Sequence, residues 1–255
     1  RTGGELPGAV LWIEHNGTSF IHAYGKMSEQ PTQANAQRNT IYDVASLTKA
    51  FATTPAVLRL WEQGKLALDD PVLKYIPDFA GDGRDAITIR QLLTHTSGLR
   101  PDISLAGWNG HAECIAKCCA ETPRHPPGTV FVYSDINFQL LDEIVRRVSG
   151  QRLDAFCEKE IFGPLKMTDT GYNPPIGKRN RVAPTTHENG HWLRGIVHDP
   201  RARKTAGVAG HAGLFTTAPD LARFCRMLLN TGKLDNRQVF KPETIAEWTR
   251  IQSPG

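Results

Sequence analysis

Ser46 and Lys49 stand three residues apart in Asp43-Val44-Ala45-Ser46-Leu47-Thr48-Lys49-Ala50-Phe51, the only S-x-x-K in the sequence. Residues at this spacing share a helix face, so a hydroxyl and an ammonium placed there can meet. A serine hydroxyl is a weak nucleophile until a neighbour takes its proton, and a desolvated lysine can help with that. The following text, Ala50-Phe51-Ala52 and then Ala56 to Gln63, is helical in pattern and stops at Gly64. That puts Ser46 in the first turn, where free N–H groups and the helix dipole favour developing negative charge. About one such pair arises by chance in a chain this long, so its partners must decide. Other serine chemistries lack their signatures. There is no G-x-S-x-G elbow and no H-E-x-x-H, and a helix-rich chain does not suit a chymotrypsin-like arrangement.

Composition sets the outer bounds. The 255 residues suffice for one large domain or two smaller ones with a sizeable core. Apolar residues make up 40% and charged residues 22%, as in ordinary soluble domains, and no apolar run is long enough to span a bilayer. The net charge of +4 includes clusters at Lys178–Arg181 and Arg201–Lys204. Both sit in loop territory without interleaved aromatics and read as solvated loops, not as a nucleic-acid surface. The five cysteines lack the spacing of a disulfide framework. His111, Cys114 and Cys118 would share a helix face, but there is no C-x-x-C, and packing as small apolar groups is the preferred reading. No metal or cofactor is expected.

The elements that must position Ser46 follow in order. Residues 8–14 and 19–25 read as a hairpin closed by Asn16-Gly17. Pro71 is a plausible first helical residue, Ile87-Thr88-Ile89 reads as extended, and residues 90–95 as a helical turn. Helices are expected over 111–121, 136–148 and about 152–161. Residues 173–210 show little periodicity and read as a long irregular surface of functional interest. A glycine-rich turn, Gly207 to Phe215, precedes a helix capped by Thr217 or Asp220, and a last helix begins near Pro242.

Ser46-Leu47-Thr48-Lys49 and Tyr133-Ser134-Asp135 resemble the first two motifs of the serine β-lactamase and penicillin-binding-protein superfamily. The likeness is greatest to the class C β-lactamase branch, which includes DD-peptidases, D-aminopeptidases and family VIII carboxylesterases. Leu92-Leu93-Thr94-His95-Thr96-Ser97-Gly98-Leu99, Pro127-Gly128, Ile161 to Met167 and Gly213-Leu214-Phe215-Thr216-Thr217 fit the same branch in the same order. The resemblance implies an α+β fold, with an antiparallel sheet flanked by helices and an inserted helical region. Residues 1–64 would form the first part of the α/β region, 65–205 the helical region and 206–255 an incomplete second part. It also implies catalytic roles: Ser46 as acylated nucleophile, Lys49 as the residue easing its deprotonation, Tyr133 as general base and then acid. The Ser46 N–H would form half an oxyanion hole. Esters, β-lactams or D-amino-acid peptides of peptidoglycan would be the substrates, in a bacterial periplasmic or secreted setting more readily than a cytoplasmic one.

Two departures matter. The family's Y-x-N is Tyr133-Ser134-Asp135 here. A carboxylate beside the lysine moves the base role toward Tyr133 and repels a substrate carboxylate, which favours esterase chemistry over efficient lactam hydrolysis. Asn137, two residues on, could supply an amide, although a helix would turn it elsewhere. The family's third motif is not found at its usual place. Gly210-His211-Ala212-Gly213 spells H-x-G but precedes a helix, so His211 and Gly213 read as structural or cleft-lining before catalytic. The resemblance therefore implies a further segment beyond Gly255, or a second chain, which would also cover the open edge and apolar face of the hairpin at 8–25. A module of the same fold that binds penicillin or peptidoglycan without turnover is the alternative.

Overall fold

The computed structural model describes residues 6–252. The first five and last three residues, the tips of the two outer expected segments, lie outside the described residues. Strands β1 (Gly8–His15) and β2 (Thr18–Ser28) pair antiparallel around Asn16-Gly17, and β3 (Ala34–Asn35) adds to β2. Asn16 and Gly17 both have positive φ, 47° and 77°, the combination a two-residue hairpin turn demands. The β1 face carrying Val10 and Trp12 lies on the late helix, where Arg226 grips Glu14. The opposite face leaves Leu11, Ile13 and Phe20 exposed at 41%, 54% and 51%.

A second small sheet leads into the Ser46 turn. Strand β4 (Tyr42–Asp43) leads directly to Ser46. It pairs antiparallel with the later strand Leu214–Thr216, which in turn pairs with β5 (Gly171–Tyr172). The expected single helix after Ser46 is instead a turn, a π-helical stretch over Lys49–Thr53, and α1 (Thr54–Glu62). Pro55 explains the difference: it has no N–H to give and its ring crowds the carbonyl four residues back, so the ladder widens ahead of it. Pro71 also differs from expectation. It is extended, bridges Thr88, and caps a 3₁₀ turn at Val72–Lys74.

The helical part is α2 (Ile89–Leu93), α3 (Gly110–Cys119), α4 (Asp135–Ser149) and α5 (Leu153–Cys157). Helix α4 is the hub: every residue from Ile136 to Val145 is buried, and it packs on α1, α2, α3 and α5. Three of its buried polar side chains are each held through one oxygen. Asn137 Oδ1 accepts from Ser97 Oγ at 2.7 Å, Gln139 Oε1 accepts from the Cys114 and Cys118 thiols, and Glu143 pairs with Arg147. Those cysteines therefore pack in the core, and four of the five are buried.

The stretch 173–210, expected to be irregular, contains a 3₁₀ turn at Ile176–Arg181 and the hairpin β6 (His187–Glu188) and β7 (His191–Trp192). It ends in α6 (Pro200–Lys204). Its basic clusters are not simply solvated. Lys178 and Arg181 pair with Asp169, Arg201 with Asp102 and Arg203 with Glu188. After β8 (Leu214–Thr216), Thr217 caps α7 (Ala218–Leu229) by accepting the Asp220 N–H. The short hairpin β9 (Lys233–Leu234) and β10 (Arg237–Gln238) leads to α8 (Pro242–Thr249). Among the described residues no helix is long and apolar enough to cross a membrane.

Candidate active site

The turn from β4 into the π-helical stretch is shaped by its own side chains. Ala45 lies in the left-handed region with φ 49°, unusual for a residue with a Cβ. Asp43, whose side chain is fully buried, holds it there through Oδ1, which accepts the Ala45 N–H at 2.9 Å. Thr48 ties the turn to β8: its hydroxyl donates to the Ala45 carbonyl and accepts the Leu214 N–H. This leaves Ser46 exposed at the head of the helix, with an N–H that bonds to no described residue.

Lys49 is buried, and three oxygens lie close to its ammonium. Nζ donates to Ser46 Oγ at 3.0 Å and to the His211 carbonyl at 3.1 Å. Asp135 Oδ1 forms an ion pair with it at 2.7 Å. The Nζ also lies over the Tyr133 ring, 4.8 Å from the centroid, and over Phe138 at 5.7 Å. Tyr133 is 46% exposed and its hydroxyl bonds to no described residue. Asp135 starts α4, and its N–H donates to the Pro101 carbonyl. Next to it, burial pushes the Asp102 carboxyl up to about 6 in spite of Arg201, whose guanidinium lies 2.8 Å away.

Of the expected residues, Ser46, Lys49, Tyr133 and Asp135 converge. His211 joins them through its backbone carbonyl; its imidazole is buried against Asp199, Nε2 to Oδ1 at 3.1 Å. Burial works to raise the Asp199 carboxyl, but His211 and the Ala202 and Arg201 N–H groups outweigh it and hold it well below the usual range. Gly213 is a packing position with φ 113°, where a Cβ would stand 2.6 Å from the Gly207 carbonyl. Asn137 is fully buried, its Oδ1 accepting from Ser97 and its Nδ2 without a hydrogen-bond partner among the described residues.

Two groups, Asp43 and His95, were not singled out in the sequence. Asp43 Oδ2 accepts the His198 N–H at 2.9 Å and faces His198 Nδ1 at 3.0 Å. Neighbouring residues of one loop, His198 and Asp199, thus hold the Ser46 turn and the lysine's carbonyl anchor. His95 is the second: its ring is 4.5 Å from that of Tyr133, and its Nδ1 accepts the Ser134 N–H. The polar text around Asp43 and the histidines of 195–200 and 92–99 were visible signals, but separations of 155 and 39 residues carry no local periodicity.

A serine at a helix head, a lysine one turn on and a Tyr-x-Asp arriving from the helical part is an arrangement with relatives. The Beta-lactamase family model matches residues 1–252. The chain belongs to the Beta-lactamase family. Within that family, a protein of Escherichia coli K12 named "Putative D-alanyl-D-alanine carboxypeptidase" is 34% identical over 278 residues, covering 94% of this chain and 64% of its own length. One of the same name from Salmonella agona is 32% identical over 245 residues, covering 84% and 57%. A class C beta-lactamase in complex with cefoxitin superimposes with TM-score 0.77 at 27% identity, covering 94% of this chain and 64% of that one. The class C beta-lactamase of Rhodobacter sphaeroides gives TM-score 0.78 at 22% identity, covering 95% and 65%, a likeness of fold. The chain thus has the α+β architecture of the family and spans about 64% of the length of the Escherichia coli relative.

Proposed function

We propose that this Beta-lactamase family chain is a serine hydrolase that works through an acyl-enzyme on Ser46, with a small ester or a D-alanyl peptide as acyl donor. The carrying observation is the Lys49 ammonium, which donates to Ser46 Oγ while in contact with Asp135. A lysine that donates to the serine oxygen stabilises charge growing there, but it is not placed to receive the serine's proton. That proton goes to the Tyr133 oxygen, which enters the step as the phenolate with its ring beneath the same ammonium and leaves it as the neutral phenol. Ser46 Oγ then bonds to the acyl carbon, the Ser46 N–H faces the developing oxyanion, and Tyr133 returns the proton to the leaving alkoxide or amine. Water repeats the sequence in reverse roles and frees Ser46.

Asp135 shapes the choice of donor. Its carboxylate faces the reacting centre from the side of α4, so an anionic group brought there meets like charge. A neutral ester avoids this, and so does a peptide whose terminal carboxylate points away. The named carboxypeptidase relatives support the peptide, and the carboxylate favours either over efficient lactam turnover.

The test is labelling with a fluorophosphonate and a fluorescent penicillin, located by mass spectrometry, beside turnover of p-nitrophenyl esters, a D-alanyl-D-alanine peptide and nitrocefin. Labelling on Ser46 with release, and turnover of ester or peptide above nitrocefin, is expected. A stable Ser46 adduct without release would reassign the chain as a binding module. No adduct on Ser46 would end the acyl-enzyme reading.

A further inference from the structure

His95 touches the peptide on both sides of Tyr133. Its Nδ1 accepts the Ser134 N–H at 3.0 Å, and its carbonyl accepts the Val132 N–H at 2.8 Å. Its ring lies 4.5 Å from the tyrosine ring, tilted by 33°, with Phe138 at 5.1 Å and Phe131 at 5.7 Å around it. Tyr133 otherwise has little to hold it, since its ring is half exposed and its hydroxyl is unbonded among the described residues. His95 itself adopts φ 58°, in the left-handed region, and is buried. That conformation is disfavoured for most side chains and has to be held by its surroundings, here the turn following α2.

We propose that His95 is the positioning residue for Tyr133: its unprotonated Nδ1 and its carbonyl clamp the two flanking N–H groups while its ring braces the phenol beneath Lys49. The inference rests on the reading of Tyr133 as the proton-transfer group and adds what aims it. The clamp needs a neutral imidazole, because a protonated Nδ1 would meet the Ser134 N–H donor to donor. The surroundings supply one. Burial first, and then the Lys49 ammonium, lower its pKa to about 4, against the opposing pull of Asp135. The other groups around it are rings: Phe131 and Phe138 are apolar and Tyr133 faces it with a ring. The acceptor is therefore available throughout the neutral range, with Nε2 carrying the proton.

The role separates from mere core filling by a double-mutant cycle on the rate of Ser46 acylation by a p-nitrophenyl ester. His95→Phe keeps a ring and removes the acceptor. His95→Asn keeps an acceptor at the Nδ1 position and tolerates positive φ. Misplacing a proton-transfer group by an ångström can cost up to about a hundredfold, so His95→Phe is expected to slow acylation ten- to hundredfold, on the order of that cost. His95→Asn should recover most of the loss. In a Tyr133→Phe background, His95→Phe should change the rate by less than about twofold, since the group it serves is gone. An equal loss in both backgrounds, or His95→Asn as slow as His95→Phe, overturns the proposal. His95→Gln, which has no acceptor at the Nδ1 position, replaces the phenylalanine variant if that does not fold. A readout independent of turnover runs alongside. In protein carrying ¹³C-labelled tyrosine, the ring signal lost in Tyr133→Phe identifies Tyr133. It should move in His95→Phe and return in His95→Asn; a signal that stays in place overturns the clamp. If Tyr133→Phe reacts as fast as the parent, the reading of Tyr133 fails, and the ring signal still decides whether His95 holds it.

Discussion

Lys49 meets three oxygens, and only the one on Ser46 was implied by its own spacing. The serine–lysine pair was legible because three residues on a helix are neighbours whatever the rest of the chain does. Asp135 was legible as a charge without a neutral amide's chemistry. The sequence reading put that charge beside the lysine, and in the structure it lies in direct contact with the ammonium. Removing it tests its effect on the acyl donor. Asp135→Asn should raise nitrocefin turnover relative to a p-nitrophenyl ester by about tenfold, the effect of taking one like charge from the path of an anionic substrate. It should also displace the pH–rate profile. An unchanged ratio together with an unchanged profile would remove Asp135 from the account of specificity. His95 was not legible in the same way. A histidine in Thr94-His95-Thr96 announces neither its positive φ nor that it meets a helix cap 39 residues later.

At the scale of elements, the site is a crossing of three backbones: the Ser46 turn, the head of α4 and the 207–214 loop. Gly210 makes the crossing possible. A Cβ there would stand 2.0 Å from the Phe138 carbonyl of α4, a clash between two main chains that no side-chain rotation relieves. The same glycine's carbonyl accepts from Thr53, and the next residue's carbonyl accepts from Lys49. Gly210→Ala should therefore destabilise the fold by about 2–3 kcal/mol, in the range of overpacked cores. Acylation of Ser46 should slow with it, as urea unfolding and probe labelling would report. A variant as stable and as fast as the parent would mean the loop yields freely. The sequence showed a glycine-rich turn ahead of α7 but not what it approaches. Its hydrogen bonds reach partners 157 and 162 residues away, beyond any periodic pattern. Local text did predict the Asn16-Gly17 hairpin and helices α3, α4 and α7 closely, since turn chemistry and apolar stripes are local properties. It missed the π-helical stretch because the pattern of apolar residues runs on unbroken across Pro55.

For the molecule as a whole, His95 couples the site to stability. Its folded pKa, about 4, lies below the ordinary 6.5, so the unfolded chain binds the extra proton between these values. The neutral histidine's contribution is complete above pH 6.5 and is lost as pH falls toward 4, on the order of 3 kcal/mol. Urea midpoints of the parent should fall across this window, and His95→Phe should flatten the slope there. Equal slopes would show that other groups govern the acid limb. Asp70 and Asp169, held down to about 2 by Tyr75 and Arg181 respectively, act in a lower window, losing their contribution as pH drops from 3.8. The hairpin gives the whole chain a second property. Leu11, Ile13 and Phe20 are exposed on β1 and β2, and β1 has no second neighbouring strand among the described residues. Such an edge invites pairing. Sedimentation of residues 1–255 taken alone should show concentration-dependent association that Ile13→Lys suppresses; a monomer at all concentrations would show that the edge does not recruit.

His198 and Asp199 share one peptide bond, yet one supports the Ser46 turn and the other the residue that anchors Lys49. The rim loop is in effect a linchpin. Cutting or displacing it at that bond would loosen the hydroxyl's seat and the ammonium's berth together, disarming the chain from its margin without a change to any atom of Ser46.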